Sequence, residues 1–306
     1  VVIKPPQQTP FSALALGELA LRAGIPAGVV NVVTGSSREI GGELTANPLV
    51  RKVSFTGSTE VGKELLRQSA GTVKKVSMEL GGNAPYLIFD DADVDRAVTG
   101  AMASKYRNSG QTCICVNRFY VQENVYGQFV DKLAAAVAQL KVGDGMAPDV
   151  TVGPLIDERA VARMQEMVAD ALDKGGRLVC GGKRHALGGN FFEPTVVADA
   201  NPGMAVARQE IFGPFAPVFR FRTEEEAVAL ANDTEYGLAA YVYTRDLGRA
   251  FRVSGALQYG LVGVNESLIS TCEAPFGGVK ESGLGREGSR HGLDDYSVIK
   301  YTCLGE

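Results

Sequence analysis

A chain of 306 residues, 45% hydrophobic and 22% charged, can bury one large core or two of ordinary size. A formal net charge of −4 argues against a nucleic-acid or anionic-membrane surface, and no apolar run approaches the ~20 residues of a bilayer span. Five cysteines without framework spacing suit reduced thiols in a cytoplasmic compartment, and no secretory signal is visible at the start.

The first 80 residues alternate strand and helix signals. Val1–Ile3 is a short β-branched strand, and Thr9-Pro10 supplies a cap and a first-turn proline for a helix closed by Gly24 and Pro26. Val29–Val33 predicts a buried strand, and the turn at Gly35–Gly41 leads into a second helix. Val53–Phe55 is the next strand, Gly57-Ser58 a tight turn, Thr59–Gln68 a helix and Lys75–Ser77 a strand. This alternation predicts a parallel, doubly wound α/β sheet.

Beyond Gly81 the pattern stays α/β. Tyr86–Phe89 is a strand, and Asp90, Asp91 and Asp93 cap a helix running toward Ser104. Val125–Gln139 and Val161–Lys174 are amphipathic helices, the second ending at Gly175-Gly176. Phe215–Phe221 and Ala239–Tyr243 are strands with a helix, Glu224–Asn232, between them. Pro275–Gly288 is the longest irregular stretch, and Tyr296–Cys303 alternates like an exposed strand that needs a partner.

The chemistry centres on Arg107-Asn-Ser-Gly-Gln-Thr-Cys-Ile-Cys-Val-Asn-Arg118, which sets Cys113 among small and polar residues. A thiol in such surroundings is a candidate nucleophile, whereas a packing cysteine has apolar neighbours. Glu79, between a strand and Gly81-Gly82, is a candidate general base, since partial burial raises a carboxyl toward neutrality. Taken alone it also reads as an ordinary loop carboxylate. Gly57-Ser-Thr-Glu-Val-Gly-Lys-Glu64 nearly spells a phosphate-binding P-loop, but Glu64 stands where Ser or Thr must ligate magnesium. His185 and His291 lie far apart without ligand spacing, so no metal is expected.

Gly110-Gln-Thr-Cys113 and Met78-Glu-Leu-Gly-Gly-Asn-Ala-Pro85 resemble the nucleophile and general-base motifs of the aldehyde dehydrogenase superfamily, with further matches from Lys4-Pro5 to Lys300-Tyr301. Within it the chain most resembles the NADP-dependent succinate-semialdehyde dehydrogenases. The resemblance implies attack of Cys113 on an aldehyde, hydride transfer from the thiohemiacetal to a nicotinamide, and thioester hydrolysis by water activated by Glu79. The Cys113 N–H would be one oxyanion donor. The second, an asparagine, would lie in a family segment preceding Val1, and is worth ~3–4 kcal/mol. The chain therefore reads as lacking the family's N-terminal portion. Further implied cofactor contacts are Lys4 and Gln7 at the adenosine ribose, Gly57 and Ser58 at the pyrophosphate, Leu80, and Glu210 and Phe212 of Glu210-Ile-Phe-Gly-Pro214 at the nicotinamide ribose and ring. Gln7 stands where a carboxylate would favour NAD, so NADP is expected to be preferred, with NAD also accepted.

Arg107 and Ser270 match residues that hold the substrate carboxylate in the resembled enzymes; taken alone, Arg107 also suits a surface salt bridge. Cys115, two residues past Cys113, serves either as a packing thiol or as the partner of an oxidative switch. The expected organisation is a partial cofactor domain at 1–80, a catalytic domain at 81–272, a return segment at 273–291 and an oligomerisation strand at 292–306. The expected activity is oxidation of succinic semialdehyde in a homodimer or homotetramer. The alternatives are a glutaric or other semialdehyde dehydrogenase, an inactive fragment, and a thiol esterase without cofactor reduction.

Overall fold

The computed structural model describes residues 1–306 and divides them into two compact units, one of Val1–Phe55 with Glu60–Ser77 and one of Thr56–Thr59 with Met78–Glu306. In chain order the first elements are β1 (Val2–Ile3), α1 (Phe11–Arg22), β2 (Asn31–Val32), α2 (Ser37–Ala46), β3 (Lys52–Thr56), α3 (Thr59–Ser69) and β4 (Lys75–Glu79). β1 and β2 pair in parallel, Val2 opposite Asn31 and Ile3 opposite Val32.

Two local expectations are corrected here. Thr9 does not cap α1: Pro10 precedes the helix in helical conformation and no side chain caps it. Val29–Val33 is not a buried strand, because only Asn31 and Val32 pair and Val29 and Val33 are exposed. A two-residue ladder beside a single partner strand leaves both faces largely uncovered, so β-branched composition alone does not bury it.

The second unit carries β5 (Ala84–Ile88), α4 (Val94–Lys105), β6 (Val116–Gln122), α5 (Tyr126–Val137), α6 (Glu158–Asp173), β7 (Arg177–Cys180), β8 (Thr195–Ala200), α7 (Ala205–Arg208), β9 (Phe215–Phe221), α8 (Glu224–Asn232), β10 (Ala239–Tyr243), α9 (Leu247–Ala256), β11 (Leu261–Val264), β12 (Gly283–Leu284) and α10 (His291–Asp294). Its main sheet runs β11-β10-β5-β6-β9-β8-β7, parallel throughout except for the antiparallel edge strand β7. Side chains alternate across it. Tyr86, Phe119, Val218 and Tyr241 enter one core, with Val98 of α4 and Phe129 and Leu133 of α5. Leu87, Tyr120, Phe219 and Val242 enter the other, with Met164 of α6, Ala227 of α8 and Val253 of α9. Both faces are covered, so β5 and β10 are buried at every position, as a parallel strand between helical layers must be.

Helix starts follow local chemistry. Asp93, Asp157, Thr223 and Asp246 accept the N–H three residues on, opening α4, α6, α8 and α9. The cap at Asp157 starts α6 at Glu158, earlier than the apolar periodicity from Val161 indicates.

Pro275–Gly288 is not wholly irregular. Within it β12 pairs antiparallel with the end of β4, Gly283 opposite Glu79 and Leu284 opposite Met78. Gly283 has φ 135°, and a Cβ there would lie 1.9 Å from the Met78 carbonyl oxygen, so only glycine allows this approach. Tyr296–Cys303 forms no strand and is exposed. A strand needs an edge for its N–H and C=O groups, and no strand of this chain pairs with that segment. No helix is long and apolar enough to cross a membrane.

Candidate active site

Cys113 follows three consecutive left-handed residues, Asn108 (φ 53°), Ser109 (φ 56°) and Gly110 (φ 74°). Such a run is costly unless its surroundings enforce it. Here Asn108 Nδ2 donates to Gln111 O at 2.9 Å, Ser109 Oγ donates to Gly153 O at 2.8 Å, and a Cβ at Gly110 would meet Gly213 O at 2.2 Å. The loop is therefore held from both sides, and it turns Cys113 toward the end of β4.

Glu79 is the last residue of β4 and is buried. The return segment closes over it: Leu80 N–H donates to Ser282 O at 3.0 Å and Ser282 Oγ to Gly81 O at 2.7 Å. A Cβ at Gly82 would fall 2.4 Å from Cys113 O, so the glycine lets the two motif segments touch. The Cys113 thiol and the Glu79 carboxyl lie close enough for each to shift the other's pKa, and Glu79 Oε1 has no hydrogen-bond partner.

The electrostatics suit a neutral pair. Burial raises Glu79 to about 7; the neighbouring Cys113 thiol opposes this, and the charges of Glu287 and Glu210 add to it. Burial also pushes Cys113 up to about 12, helped by the negative charges of Glu79 and Glu210. Cys113 is thus a partly buried thiol packed against the first core, less open than its polar neighbours suggest. It needs a base beside it, and Glu79 titrates near neutrality.

Glu210 faces the same segment. Its Oε1 accepts the Gly82 N–H at 3.0 Å, and its Oε2 lies 2.8 Å from where a Gly81 Cβ would sit. Burial raises Glu210 to about 7, against the Gly82 N–H, Arg163 and Lys105. Phe212 is 42% exposed with φ 53°, an apolar ring left in the open by a left-handed backbone. Leu80 is buried, while Gly57 and Ser58 are exposed and the Gly57 N–H donates to Glu79 O at 3.0 Å. The residues expected to act here, Glu79, Leu80, Cys113, Glu210 and Phe212, all belong to the second unit, as do Gly57 and Ser58.

Lys4 and Gln7 belong to the first unit. Lys4 Nζ donates to Ser37 Oγ at 2.5 Å at the start of α2, and Gln7 Nε2 donates to Gly35 O at 3.1 Å. Arg107 and Ser270 are both exposed. Arg107 has no ion pair with a carboxylate, and its charge acts on Cys115 and Tyr241. Cys115 is 4% exposed, with Sγ 3.7 Å from Lys105 O and 3.5 Å from Val116 O, and it is a free thiol. Burial raises it, opposed by Lys105 and Arg107.

Other features went unread in the sequence. Lys105 is fully buried, its Nζ has no hydrogen-bond partner, and burial lowers its pKa. Thr112 Oγ1 is also unpartnered, so with Glu79 Oε1 two of the four such buried atoms lie on the Cys113 and Glu79 segments, and Lys105 Nζ, at the end of α4, is a third. Unsatisfied polar groups of this kind mark functional sites. Arg118 is 1% exposed and donates to Asn83 O, Leu230 O and Ala231 O instead of a carboxylate. A charge inside the run Val116-Asn-Arg-Phe-Tyr-Val121 was the available signal.

The aldehyde dehydrogenase family profile matches residues 1–302. The NADP(+) succinate-semialdehyde dehydrogenase of Escherichia coli K12 is 62% identical over 305 residues, covering 100% of this chain and 63% of that protein. A glutarate-semialdehyde dehydrogenase of Pseudomonas aeruginosa is 62% identical with the same coverage. The crystal structure of succinate-semialdehyde dehydrogenase from Burkholderia pseudomallei matches with TM-score 0.98 and 63% identity, over 99% of this chain and 63% of that one. The chain thus spans just under two thirds of the length of these relatives. With the family profile matched over residues 1–302 and relatives 62% identical over the whole chain, the chain belongs to the aldehyde dehydrogenase family.

Proposed function

We propose that this chain is the greater part of an enzyme that oxidises succinic semialdehyde to succinate with NADP. The observation that carries this is the Cys113 thiol beside a buried Glu79 whose carboxyl is raised to about 7. As Cys113 Sγ attacks the aldehyde carbon, its proton passes to Glu79 and a thiohemiacetal forms, with the Cys113 N–H as one donor to the oxyanion. Once the adduct is oxidised to the thioester, Glu79 gives up the thiol's proton to solvent; it then takes a proton from the water that attacks the thioester and returns it to the departing Cys113 sulfur, which releases the acid and restores the thiol.

The residues fit a nicotinamide dinucleotide. Glu210 is a carboxylate fixed by a backbone N–H, suited to accept from ribose hydroxyls, and Phe212 is an exposed ring beside it in sequence. Bound NADP supplies the hydride acceptor. Leu80 lines the nicotinamide end, Gly57 and Ser58 serve the pyrophosphate, and Lys4 and Gln7 serve the adenosine ribose. Neutral Gln7 leaves a 2′-phosphate unopposed, which supports NADP over NAD. The domain scheme 1–80, 81–272, 273–291 and 292–306, a cytoplasmic location, and a homodimer or homotetramer joined through Tyr296–Cys303 complete the proposal.

Arg107, with no carboxylate partner of its own, supports recognition of an acid-tailed aldehyde together with Ser270. Arg107→Ala should reduce kcat/KM for succinic semialdehyde by ~10²-fold while leaving butanal within about threefold, as expected for loss of a charge-assisted pair. Equal losses on both aldehydes would remove Arg107 from the substrate pocket.

The test of the whole proposal is reduced-nicotinamide absorbance with the complete native polypeptide. Succinic semialdehyde should give the higher kcat/KM, with glutaric semialdehyde lower by ~10–200-fold for its extra methylene, and NADP should exceed NAD. Preference for glutaric semialdehyde would transfer the assignment to that substrate. Ester hydrolysis without cofactor reduction would indicate a thiol esterase.

A further inference from the structure

We propose that Asn117 is the positioning residue for Glu210, and that it works by locking the backbone on either side of that carboxylate. This rests on the reading of Glu210 as a cofactor-binding residue.

Asn117 lies on β6, four residues beyond Cys113, and is 1% exposed. Its Nδ2 donates to Gln209 O at 3.2 Å and its Oδ1 accepts the Ile211 N–H at 3.3 Å, so one side chain brackets Glu210. Nδ2 also donates to Asn83 Oδ1 at 3.0 Å. Asn83 is fully buried, and its Nδ2 donates to Ala207 O at 3.2 Å, on the approach to the same segment. The Asn83 carbonyl accepts from Arg118 Nε at 3.1 Å and Nη2 at 2.9 Å. Gly82, immediately before Asn83, gives its N–H to Glu210 Oε1 at 3.0 Å. Both the backbone and the carboxylate of Glu210 are thus referred to the segment that carries Glu79.

Only a carboxamide can do this. It has two donors and an acceptor in one plane; aspartate cannot donate, and serine has a single O–H. Packing does not ask for asparagine here, because its strand neighbours Val116, Phe119 and Val121 are apolar core residues. A satisfied buried polar network of this kind imposes one geometry on the groups it joins. The left-handed backbone at Phe212 follows directly, so the lock also sets where the chain turns after Glu210.

The test measures NADP KM and kcat for aldehyde oxidation, and cofactor-independent hydrolysis of an activated ester, on the complete native protein. Asn117→Ala should raise NADP KM by ~10-fold with ester hydrolysis within about twofold of the parent. Combined with Glu210→Gln it should add almost nothing, since residues sharing one network are non-additive. Asn117→Ser, which keeps a hydroxyl and disturbs the core less, should be intermediate and equally non-additive, and it carries the test if the alanine variant fails to fold. Multiplicative losses in the double variant, or a parallel fall in ester hydrolysis, overturn the proposal. If Glu210→Gln itself leaves NADP KM and kcat unchanged, the reading of Glu210 fails and takes this role of Asn117 with it. If Glu210→Gln is impaired and both Asn117 variants are normal, only the lock is refuted.

Discussion

Cys113→Ala should abolish aldehyde oxidation and ester hydrolysis together, each by ~10⁴-fold or more, while the chain stays folded. The side chain is only partly buried and alanine fits its place, so the cost to stability is about 1–2 kcal/mol. Because burial and two nearby carboxyl groups hold the thiol near 12, it is protonated at neutral pH. Its reactivity comes from the base beside it. Steady-state rates and circular dichroism on the same preparation check this. Retained ester hydrolysis in the alanine variant would move the nucleophile elsewhere. The parent enzyme in peroxide also tests the proposed switch with Cys115. Reversible, dithiothreitol-rescued inactivation that Cys115→Ala loses would support it, although the Cys115 sulfur is now buried against Lys105 O and the loop would have to rearrange.

Glu79→Gln should lower turnover by ~10²–10⁴-fold, since glutamine can accept neither the Cys113 proton nor that of the attacking water. Because the thiol near 12 loses its base as well, formation of reduced cofactor should itself be slow, with no stoichiometric burst ahead of the steady state. The pH profile sharpens the test. The base works when ionised, so parent activity should rise with pH through about 7, and the variant should lose that limb. A limb near 7 that persists in the variant would assign it to another group, Glu210 being the one with a similar value.

The same substitution should stabilise the protein. A buried carboxyl raised from 4.5 to about 7 favours folding less and less as pH climbs through that window, because the folded state must give up a proton it holds more tightly than the unfolded chain. Glutamine does not ionise. Its advantage over Glu79 should therefore be absent below pH ~4, grow across the window and level off above pH ~7 at about 1–3 kcal/mol. Chemical denaturation at acid and alkaline pH would show a gain of the opposite pH dependence if Glu79 were stabilised as a carboxylate.

Much of the second unit was legible because its elements are locally self-consistent. The strands Phe215–Phe221 and Ala239–Tyr243 and the helix Glu224–Asn232 form with the expected bounds. Weaker signals failed. β6, β7, β8, β11 and β12 were unread; β7, β11 and β12 are short and pair at the edges of their sheets, and β6 carries Asn117 and Arg118 inside its apolar run. Tyr296–Cys303 pairs with no strand of its own chain, and the expected partner for it belongs to a second copy.

The sequence by itself determined the family, the thiol, the carboxylate beside its two glycines and the Glu210-Ile-Phe-Gly-Pro214 motif, because these depend on residue type and short spacing. Tertiary structure alone decided their state. Burial turned Glu79 from an ordinary carboxylate into a base near 7 and held Cys113 as a thiol. It also left Lys105 Nζ without a partner and joined Asn117 to Asn83, 34 residues away, and to Ile211, 94 residues away. Desolvation and long-range hydrogen bonding are properties of the surroundings, and a linear chain contains those surroundings only after it has folded.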